Sequence, residues 1–491
     1  MSDSYDTLLD RMEKITNVGE AEAVLRWDQE VMMPEDGTPA RSRQLSTLSS
    51  ISHDMLTADE TRDLIETVDT ENLDDPQKSA YREMERDYRR AAEVPNELVE
   101  EISRKSSDAL PKWKKAKETD EFEEFAPILE EMIELKKDYA REIDPDRPAY
   151  EVLFEDYEPY LSIEKTEKIL EQLGDHLNPL IDEINSSNGV NSDTFDGEFP
   201  KEKQRELVKE VLDSLGYDWS RGRLDTGPHP FSTGNQFDSR IVTRFEDNPM
   251  DALTSTVHEF GHSLYTLGLP KSEYGNPLGE SRDLSVHESQ SRLWENHVGR
   301  SRPFLEFLLP KFNDKFDCDI GIQEAYESLN HVHVDNPIRV EADELTYHMH
   351  IVLRFEIEKM LIEDELDVEE VPQVWNSRME EYLDVLPNGD DEGCLQDIHW
   401  SHGSFGYFPT YSLGSVMAAQ MFDAMESDIE VDENVKKGEF APLRNWLEEN
   451  VHRYGCRYRT DELVEKATGE ELTVEPFLDY VDDKYRSLYG I

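Results

Sequence analysis

Cysteine is scarce in this sequence. The 491 residues include only three cysteines, Cys318, Cys394 and Cys456. They are odd in number and far apart, which argues against a disulfide framework, and no two have the spacing of a zinc ribbon. The pattern indicates a chain that works in a reducing compartment.

Membrane and export signals are also missing. The chain begins Met-Ser-Asp-Ser-Tyr-Asp, which is acidic and polar where a signal peptide would be basic and then apolar. No run of about 18 apolar residues follows anywhere. We therefore expect a soluble, cytoplasmic protein with no membrane partner.

Positive charge is in short supply. Lys and Arg number 51 against 111 Asp and Glu, which gives a formal net charge of −60. A surface of this sign repels nucleic acid and anionic membranes, so both are excluded as expected partners.

The acidity has two interpretations, a disordered acidic chain or a folded protein with a carboxylate-rich surface. Mean hydropathy is −0.73, yet 37% of residues are hydrophobic and 9% aromatic. Acidic residues are interleaved with apolar ones at helical spacing, and aromatics cluster, as at Phe405, Tyr407, Phe408 and Tyr411. This pattern favours the folded interpretation and is typical of organisms with a salt-rich cytoplasm, so we expect the source to be a halophile such as a halophilic archaeon.

Most long segments have the apolar spacing of amphipathic helices. The clearest are Tyr5 to Ile15, Asp75 to Ala92, Pro95 to Ala116, Glu121 to Ile143, Ile163 to Ile184 and Val340 to Glu363. Residues 222–248 are instead rich in Gly, Pro, Thr and Phe, and Ser239 to Phe245 alternates like a strand. The sequence predicts a mostly α fold with a small antiparallel β element, as one unit over residues 1–491, perhaps divisible into two helical lobes around a cleft.

The strongest chemical signal is His258-Glu259-Phe260-Gly261-His262. On a helix, residues four apart share a face, so His258 and His262 can hold one ion. Glu259 can reach a water in an open coordination position and remove its proton during attack on a peptide carbonyl. The pattern predicts a zinc-type metallopeptidase.

A catalytic zinc site needs a third protein ligand. Glu280, Asp283, His287, Glu288 and Glu295 all follow within reach. Residues 287–296 have the pattern of a second helix that could pack beside the first, and Glu288 is our preferred ligand. Glu295, two helical turns further on, is expected to lie beyond reach of the ion, as a supporting or surface carboxylate.

With these residues assembled, the chain resembles the M32 family of metallocarboxypeptidases, the carboxypeptidase Taq type. The resemblance runs in blocks over nearly the whole chain: Trp27 to Pro34, His229-Pro230-Phe231 (HPF), Asp238-Ser239-Arg240 (the start of DxRxT), His287 to Gln290 (HES(G/Q)), Ile338 to Asp343 (IRxxAD) and Gly393 to Trp400 (GxxQDxHW). One position departs from the family pattern: Val242 stands where DxRxT has Thr, and Thr243 follows. On a strand this offset moves the hydroxyl to the other face.

The resemblance implies a helical fold similar to neurolysin and angiotensin-converting enzyme, with a deep, closed-ended groove. It implies removal of one C-terminal residue at a time from peptides with a free C-terminus, with broad specificity. It also implies that Glu288 is the third ligand, that the ion is zinc with cobalt as a possible substitute, and that the protein is a homodimer.

A carboxypeptidase must recognise a free carboxylate, and the planar fork of arginine suits it. Arg240 and Arg339 are the candidates, against the alternative that each forms a structural salt bridge. Asp343, one helical turn after Arg339, could orient it.

The reaction also requires a donor for the developing oxyanion. Tyr407 is the first choice and Tyr411 the second, against the alternative that both belong to an aromatic core. His229 and His399 could bind substrate or the developing anion, and Gln396 and Asp397 could hold His399 or substrate backbone. Four further histidines, His331, His333, His348 and His350, are interpreted as non-ligands.

An exopeptidase is the main hypothesis. An oligoendopeptidase would use the same chemistry, but the set of motifs argues against it. A non-catalytic peptide-binding protein on the same fold, or an acidic salt-dependent chaperone, would not need Glu259 and the three ligands together.

The charge excess predicts that folding depends on salt. At molar ionic strength the Debye length is about 3 Å, so repulsion among surface carboxylates is screened. We expect the melting temperature, followed by circular dichroism, to fall sharply as KCl is lowered, with loss of the fold at low salt. A melting temperature that does not move between low and molar salt would contradict the prediction.

Overall fold

The computed structural model describes the backbone of residues 2–491 and the side chains of residues 4–491. Within this range no helix is both long and apolar enough to cross a lipid bilayer. The fold is mostly helical with one small sheet, as the sequence predicts.

Nine helices precede the sheet in the described part of the chain. They are α1 (Ser2–Val31), α2 (Thr38–Thr57), α3 (Asp59–Thr67), α4 (Asp75–Glu93), α5 (Asn96–Thr119), α6 (Ala126–Ile143), α7 (Ala149–Phe154), α8 (Ile163–Asn185) and α9 (Lys201–Leu215).

Eleven helices follow the sheet, again counted over residues 2–491. They are α10 (Pro249–Gly268), α11 (Leu284–Arg292), α12 (Arg302–Phe316), α13 (Ile322–Leu329), α14 (Thr346–Ile362), α15 (Val371–Leu383), α16 (Pro409–Asp428), α17 (Val431–Lys437), α18 (Ala441–Asn450), α19 (Thr460–Thr468) and α20 (Glu475–Tyr489).

Local capping sets several of these boundaries close to where the sequence predicts them. Asp74 and Gln77 form a reciprocal capping box at the start of α4. Ser162 accepts a hydrogen bond from the backbone N–H of Lys165 at the start of α8. The predicted helix from Val340 is shorter than expected and begins at Thr346, because Oδ1 of Asp343 accepts the backbone N–H groups of Leu345 and Thr346 at 2.8 and 3.0 Å.

The apolar residues form two separate clusters. The main core includes helices α6, α8, α10, α12, α14 and α16. A smaller cluster joins α1, α3 and α4 through residues that include Leu8, Met12, Ile65 and Met84. The first helices of the chain therefore have an apolar core of their own.

The sheet comprises β1 (Gly222–Thr226), β2 (Phe231–Asn235) and β3 (Asp238–Thr243), in the order β1-β3-β2. Strands β2 and β3 form an antiparallel hairpin, as expected. Strand β1 pairs in parallel with the other edge of β3, so the sheet is mixed where the sequence predicts an antiparallel one. The tight hairpin leaves β3 in the middle, and alternation along a strand does not specify which neighbours it takes.

Strand β3 packs against α10 through buried hydroxyls. Oγ of Ser239 lies 2.7 Å from Oγ of Ser263. Oγ1 of Thr256 donates to Oγ1 of Thr243 at 2.9 Å. The Thr243 hydroxyl thus faces α10, and Val242 beside it is fully buried.

Two glycines let three helices converge. A Cβ at Gly261 would overlap the carbonyl oxygen of Gln290, so α10 and α11 approach at backbone contact. A Cβ at Gly414 of α16 would lie 2.6 Å from Cγ of Glu288. The absence of these two side chains brings α10, α11 and α16 together around one point.

Candidate metal centre

Two histidines of α10 and a glutamate of α11 point at a common position. Oε2 of Glu288 lies 3.6 Å from Nε2 of His258 and 3.4 Å from Nε2 of His262. One ligand atom from each residue lies within 4.8 Å of the other two. Zinc binds such donors at about 2.0–2.2 Å in tetrahedral geometry, which separates them by roughly 3.4 Å, so the residues fit an ion of this kind.

Each histidine is oriented through its second ring nitrogen. Nδ1 of His258 lies 2.8 Å from Oε2 of Glu295. Nδ1 of His262 lies 3.0 Å from the carbonyl oxygen of His287. Donating the Nδ1–H to these oxygens leaves Nε2 as the lone-pair donor toward the metal position.

Glu295 lies behind His258, in a stretch of chain that is not α-helical. The chain winds as a π-helix from Leu293 to Gly299, directly after α11. Glu295 is 9% exposed and reaches His258 from behind. Glu295 is therefore a supporting carboxylate and not a surface one. The sequence carries no simple sign of the π-helical turn on which it lies.

Two arginines hold the buried carboxylates. Nε of Arg292 donates to Oε1 of Glu288 at 2.7 Å, and its Nη1 donates to Oε2 of Glu295 at 3.3 Å. Nη2 of Arg300 donates to Oε1 of Glu295 at 3.2 Å. The only sequence sign of these residues is that Arg292 lies four positions after Glu288 on a helix.

These charges shift the ionisation of the cluster. Burial alone would raise the pKa of Glu288, but Arg292 and the two histidines hold it well below its usual range. Burial lowers the pKa of His258, while Glu288 and Glu295 together raise it to about 9. Because a ligand histidine must be neutral, binding of an ion releases this proton.

Glu259 lies one position along α10 from His258 and is 7% exposed. Its charge contributes to raising the pKa of His258. It therefore lies within electrostatic range of the ligand set, as the sequence motif predicts.

An aromatic wall faces the cluster from the start of α16. The ring centroids of Tyr407 and Tyr411 are 5.2 Å apart, and His399 lies 5.3 Å from Tyr407. The hydroxyl of Tyr411 is 3.5 Å from Nε2 of His399. Gly406 has a φ of +86° and donates its N–H to Oε2 of Glu358 at 3.1 Å, which fixes the turn before Tyr407.

Arg339 is buried beside this wall. Its Nε and Nη2 donate to Oδ1 of Asp397 at 3.0 and 2.7 Å, and its Nη1 donates to the hydroxyl of Tyr347 at 3.3 Å. The guanidinium lies 5.3 Å from the ring centre of Tyr411. Arg292, which holds Glu288, stacks on the same Tyr347 ring at 4.7 Å.

The neighbours of Arg339 differ in part from the expected ones. Asp397 is the carboxylate that orients Arg339. Asp343 instead caps α14 and accepts a hydrogen bond from Oγ1 of Thr346. Gln396 accepts the backbone N–H of Arg339 at 2.8 Å and donates to the carbonyls of Pro337 and Glu392. Helical periodicity cannot identify Asp397, which lies in an irregular segment far along the chain.

Arg240 lies on strand β3 of the sheet, and His229 lies in the loop between β1 and β2. Arg240 pairs with Asp238 at 2.6 Å and stacks on Trp27 of α1 at 4.2 Å. His229 is exposed in the connection between β1 and β2. Over the described side chains, neither shares a hydrogen bond, ion pair or ring contact with the three ligand residues.

The four histidines interpreted as non-ligands lie apart from the ligand set, whereas His287 packs against His262 with ring centroids 4.6 Å apart. Nδ1 of His348 bonds Oγ of Ser412 at 2.9 Å, and His350 is fully buried beside Arg354. His331 and His333 pack ring to ring at 4.7 Å. Among residues 4–491, the ligand geometry brings only His258, His262 and Glu288 into a metal-binding group.

The sequence matches a known protein family over almost its whole length. The family model described as Carboxypeptidase Taq (M32) metallopeptidase matches residues 7–485. The chain belongs to the M32 family. It is a metallopeptidase of the carboxypeptidase type, as the resemblance of its motifs implies.

Relatives match the M32 chain over its full length. It is 38% identical to thermostable carboxypeptidase 1 of Pyrococcus furiosus, covering 99% of both chains. It is 36% identical to thermostable carboxypeptidase 1 of Thermus thermophilus, again over 99% of both. A solved structure of the Pyrococcus furiosus carboxypeptidase, described as Apo-Mg, superposes with a TM-score of 0.96 at 36% identity and 99% coverage of both chains. The family shares the helical fold of the neurolysin and angiotensin-converting-enzyme type.

Replacing Glu295 by Gln tests the support of His258. The amide cannot accept from His258 and both arginines as a carboxylate does, so His258 loses its fixed orientation. Loss of such a partner typically weakens metal binding by about 10–100-fold. We expect this loss in a competition titration against a zinc-selective chelator dye.

Asp367→Asn, a carboxylate substitution outside the cluster, serves as the control and should leave the affinity unchanged. Equal zinc affinity in Glu295→Gln and the unmodified enzyme would contradict the role of Glu295.

Proposed function

We propose that this metallocarboxypeptidase removes single residues, with broad specificity, from peptides that carry a free C-terminus. The observation that carries the proposal is the position of Arg339. It lies next to Tyr411 and is linked through Tyr347 to Arg292, which holds the ligand Glu288. A carboxylate-binding group within a few side chains of the metal position suits cleavage of the last peptide bond.

His258, His262 and Glu288 would hold the ion, which we propose is zinc. Two imidazoles and one carboxylate suit zinc or cobalt better than magnesium, which prefers oxygen ligands. The solved structure of the Pyrococcus furiosus carboxypeptidase is described as Apo-Mg, and that description applies to that protein alone. When bound, such an ion acts as a Lewis acid and lowers the pKa of a water at its open position.

Glu259 then takes the proton of the attacking water and returns it to the leaving amine. Its place on α10, one residue from His258, supports this role. The hydroxyl of Tyr407 or Tyr411 donates to the oxyanion that develops on the scissile carbonyl. Burial raises the pKa of both phenols, so each stays protonated and can donate.

Arg339 reads the terminal carboxylate of the peptide. Oδ1 of Asp397 accepts hydrogen bonds from Nε and Nη2 of Arg339, and its Oδ2 accepts one from Nε of Arg354. These bonds fix the guanidinium of Arg339 in place. Gln396 and Asp343 support this segment from behind through backbone hydrogen bonds. His399 packs against both tyrosines and helps to bind the substrate near the oxyanion position.

Arg240 and His229 would contact a more distant part of the peptide. Arg240 lies on β3 and His229 in the loop before β2, and Arg240 stacks on Trp27 of the first helix. A groove closed at this end would limit substrates to peptides.

An oligoendopeptidase remains the alternative within the same chemistry, and a peptide binder without activity is the alternative outside it. An amidated C-terminus blocks the proposed reaction but leaves an endopeptidase unaffected.

The wider setting of the enzyme forms part of the proposal. We propose a single peptidase unit over residues 1–491 with two helical lobes, which the separate apolar cluster of α1, α3 and α4 supports. Three unpaired cysteines, two of them buried, support a cytoplasmic location. The net charge of −60 supports a halophilic source and argues against nucleic acid or membrane partners. A homodimer follows from the family resemblance, and light scattering tests it.

The Glu259→Gln variant tests the catalytic base. Loss of a general base commonly lowers kcat by about 10²–10⁴-fold, while the three ligands and bound zinc remain. We expect a timed digest of an N-terminally blocked peptide at high salt to give a ladder shortened from the C-terminus. The ladder should disappear with chelator and with Glu259→Gln, although metal analysis finds zinc in the variant. Internal cuts, or cleavage of the amidated peptide at the same rate, would contradict exopeptidase activity.

Two arginine variants test carboxylate recognition. Arg339→Met keeps an unbranched stem but removes the guanidinium and with it two charge-assisted hydrogen bonds to the substrate, which should lower kcat/KM by about 100-fold or more. Arg240→Met is the matched comparison, because that arginine is also paired with an aspartate and stacked on an aromatic ring.

The decisive measurement is the ratio of kcat/KM between free-acid and amidated substrates. The ratio should collapse in Arg339→Met while zinc content stays constant. If the ratio collapses in Arg240→Met instead, the carboxylate is read from the sheet side.

A further inference from the structure

A large cavity lies on the face of α10 that points away from the metal ligands. Its volume is about 710 Å³. Phe260 and Leu264 line it from α10, each two residues after a ligand histidine and so on the opposite side of the helix. The segment after α9, the end of α10 through Lys271, and α18 with the turn that follows it complete the wall.

The charge of this cavity is opposite to that of the protein. Four cationic side chains line it, Arg221, Lys271, Arg444 and Arg453, against the two carboxylates of Asp218 and Glu448. Over the whole chain carboxylates outnumber Lys and Arg, 111 to 51. A cation here therefore has fewer potential protein partners than an average cation in this chain.

Three of the four cations have no carboxylate partner. Arg221 is satisfied by Asp218 at 2.8 Å and by two backbone carbonyls. Lys271, Arg444 and Arg453 form no ion pair within 4.0 Å among the side chains that the structure describes. Arg453 instead donates to the hydroxyl of Tyr454 at 3.0 Å and stacks on that ring.

Arg444 is the least compensated of the three. Its Nη1 donates to the carbonyl of Gly216 at 3.3 Å, while its Nε is buried with no hydrogen-bond partner in the described chain. Burial lowers the pKa of Arg444, and the charge of Glu448 opposes this only in part. Arg444 is half-buried, so water screens its charge only in part, and its Nε–H has no acceptor among the described residues. A ligand that brings a negative charge into the cavity would supply the missing counter-charge.

Much of the remaining wall is apolar, although Asn445 and His452 also line the cavity. Tyr217, Phe260, Leu264, Leu267 and Leu269 contribute rings and aliphatic side chains. The volume falls within the range of about 300–1,000 Å³ that is typical of small-molecule sites, which combine apolar walls with a few placed polar groups. The cations and the apolar surface thus favour a ligand that is both negatively charged and partly apolar.

We propose that this cavity binds a small organic dianion with an apolar body, held by Arg444, Lys271 and Arg453. The ligand packs behind the metal-binding helix. The buried ring of His452, which lines the same cavity, bonds Oε1 of Gln290 at 2.9 Å, two residues after Glu288. A ligand bound in this cavity stabilises the folded protein, because it binds the folded state and not the unfolded one. It does so from the side of α10 opposite the metal ligands.

A series of three ring compounds tests the charge requirement. Isophthalate, benzoate and isophthalamide carry two, one and no negative charges on the same ring. Each is titrated into the zinc-loaded enzyme at constant molar KCl, by calorimetry and by melting temperature. We expect isophthalate to bind at least 10-fold more tightly than benzoate and to raise the melting temperature, with no binding of the neutral amide.

The titration is repeated in the Arg339→Met background, which removes the carboxylate site proposed beside the metal. There, Arg444→Gln and the double variant Lys271→Gln/Arg453→Gln should each weaken isophthalate binding by at least 10-fold. Arg457→Gln is the matched control, because Arg457 is exposed and stacks on the next tyrosine as Arg453 does, but lies outside the cavity.

The double variant changes two side chains at the rim of the cavity and decides the matter if Arg444→Gln does not fold. Binding that is lost in the cavity variants and kept in Arg457→Gln supports the site. Absence of isophthalate binding in the unmodified enzyme, or binding that the cavity variants leave unchanged, would overturn it.

Discussion

The carboxylate of Glu288 is a negative charge held at 9% exposure in the middle of a protein. Burial of an isolated carboxylate is strongly unfavourable, so everything around it must compensate. Arg292 binds one oxygen, while Ser291 and the two ligand histidines lie near the other. The close approach of α10, α11 and α16 allows all of these contacts at once, and it depends on Gly261 and Gly414.

The same arrangement recurs outward from the centre. Glu295 is shared by His258, Arg292 and Arg300, and Asp397 is shared by Arg339 and Arg354. Each of these carboxylates thus binds more than one cationic or donor group, and Asp397 joins arginines from two other segments of the chain. On the surface the carboxylates greatly outnumber their partners, so the protein has two electrostatic regimes. The buried carboxylates named above are paired within a few ångströms, while salt can only screen the repulsion among those on the surface.

Much of the fold follows from local patterns. The helices α4 and α8 begin at capping residues that are visible in the sequence, and the apolar spacing of their cores is regular. The predicted start at Val340 is too early, because the side chain of Asp343 caps a helix that begins at Thr346. The sheet is mixed because β3 lies between its neighbours, and alternation within one strand carries no information about the order of strands.

By itself the sequence determined the chemistry of the metal position, because His258 and His262 share a helical face wherever that helix lies. It also determined Glu259 as their neighbour and indicated Glu288 as the third donor. Only the tertiary structure decided that the π-helical turn brings Glu295 to His258 and that Asp397 holds Arg339. It alone placed around one cavity behind α10 three cations that form no ion pair with any described carboxylate. The physical reason is range: helical periodicity acts over a few residues, whereas charge pairing in a folded interior joins segments that lie far apart in the chain.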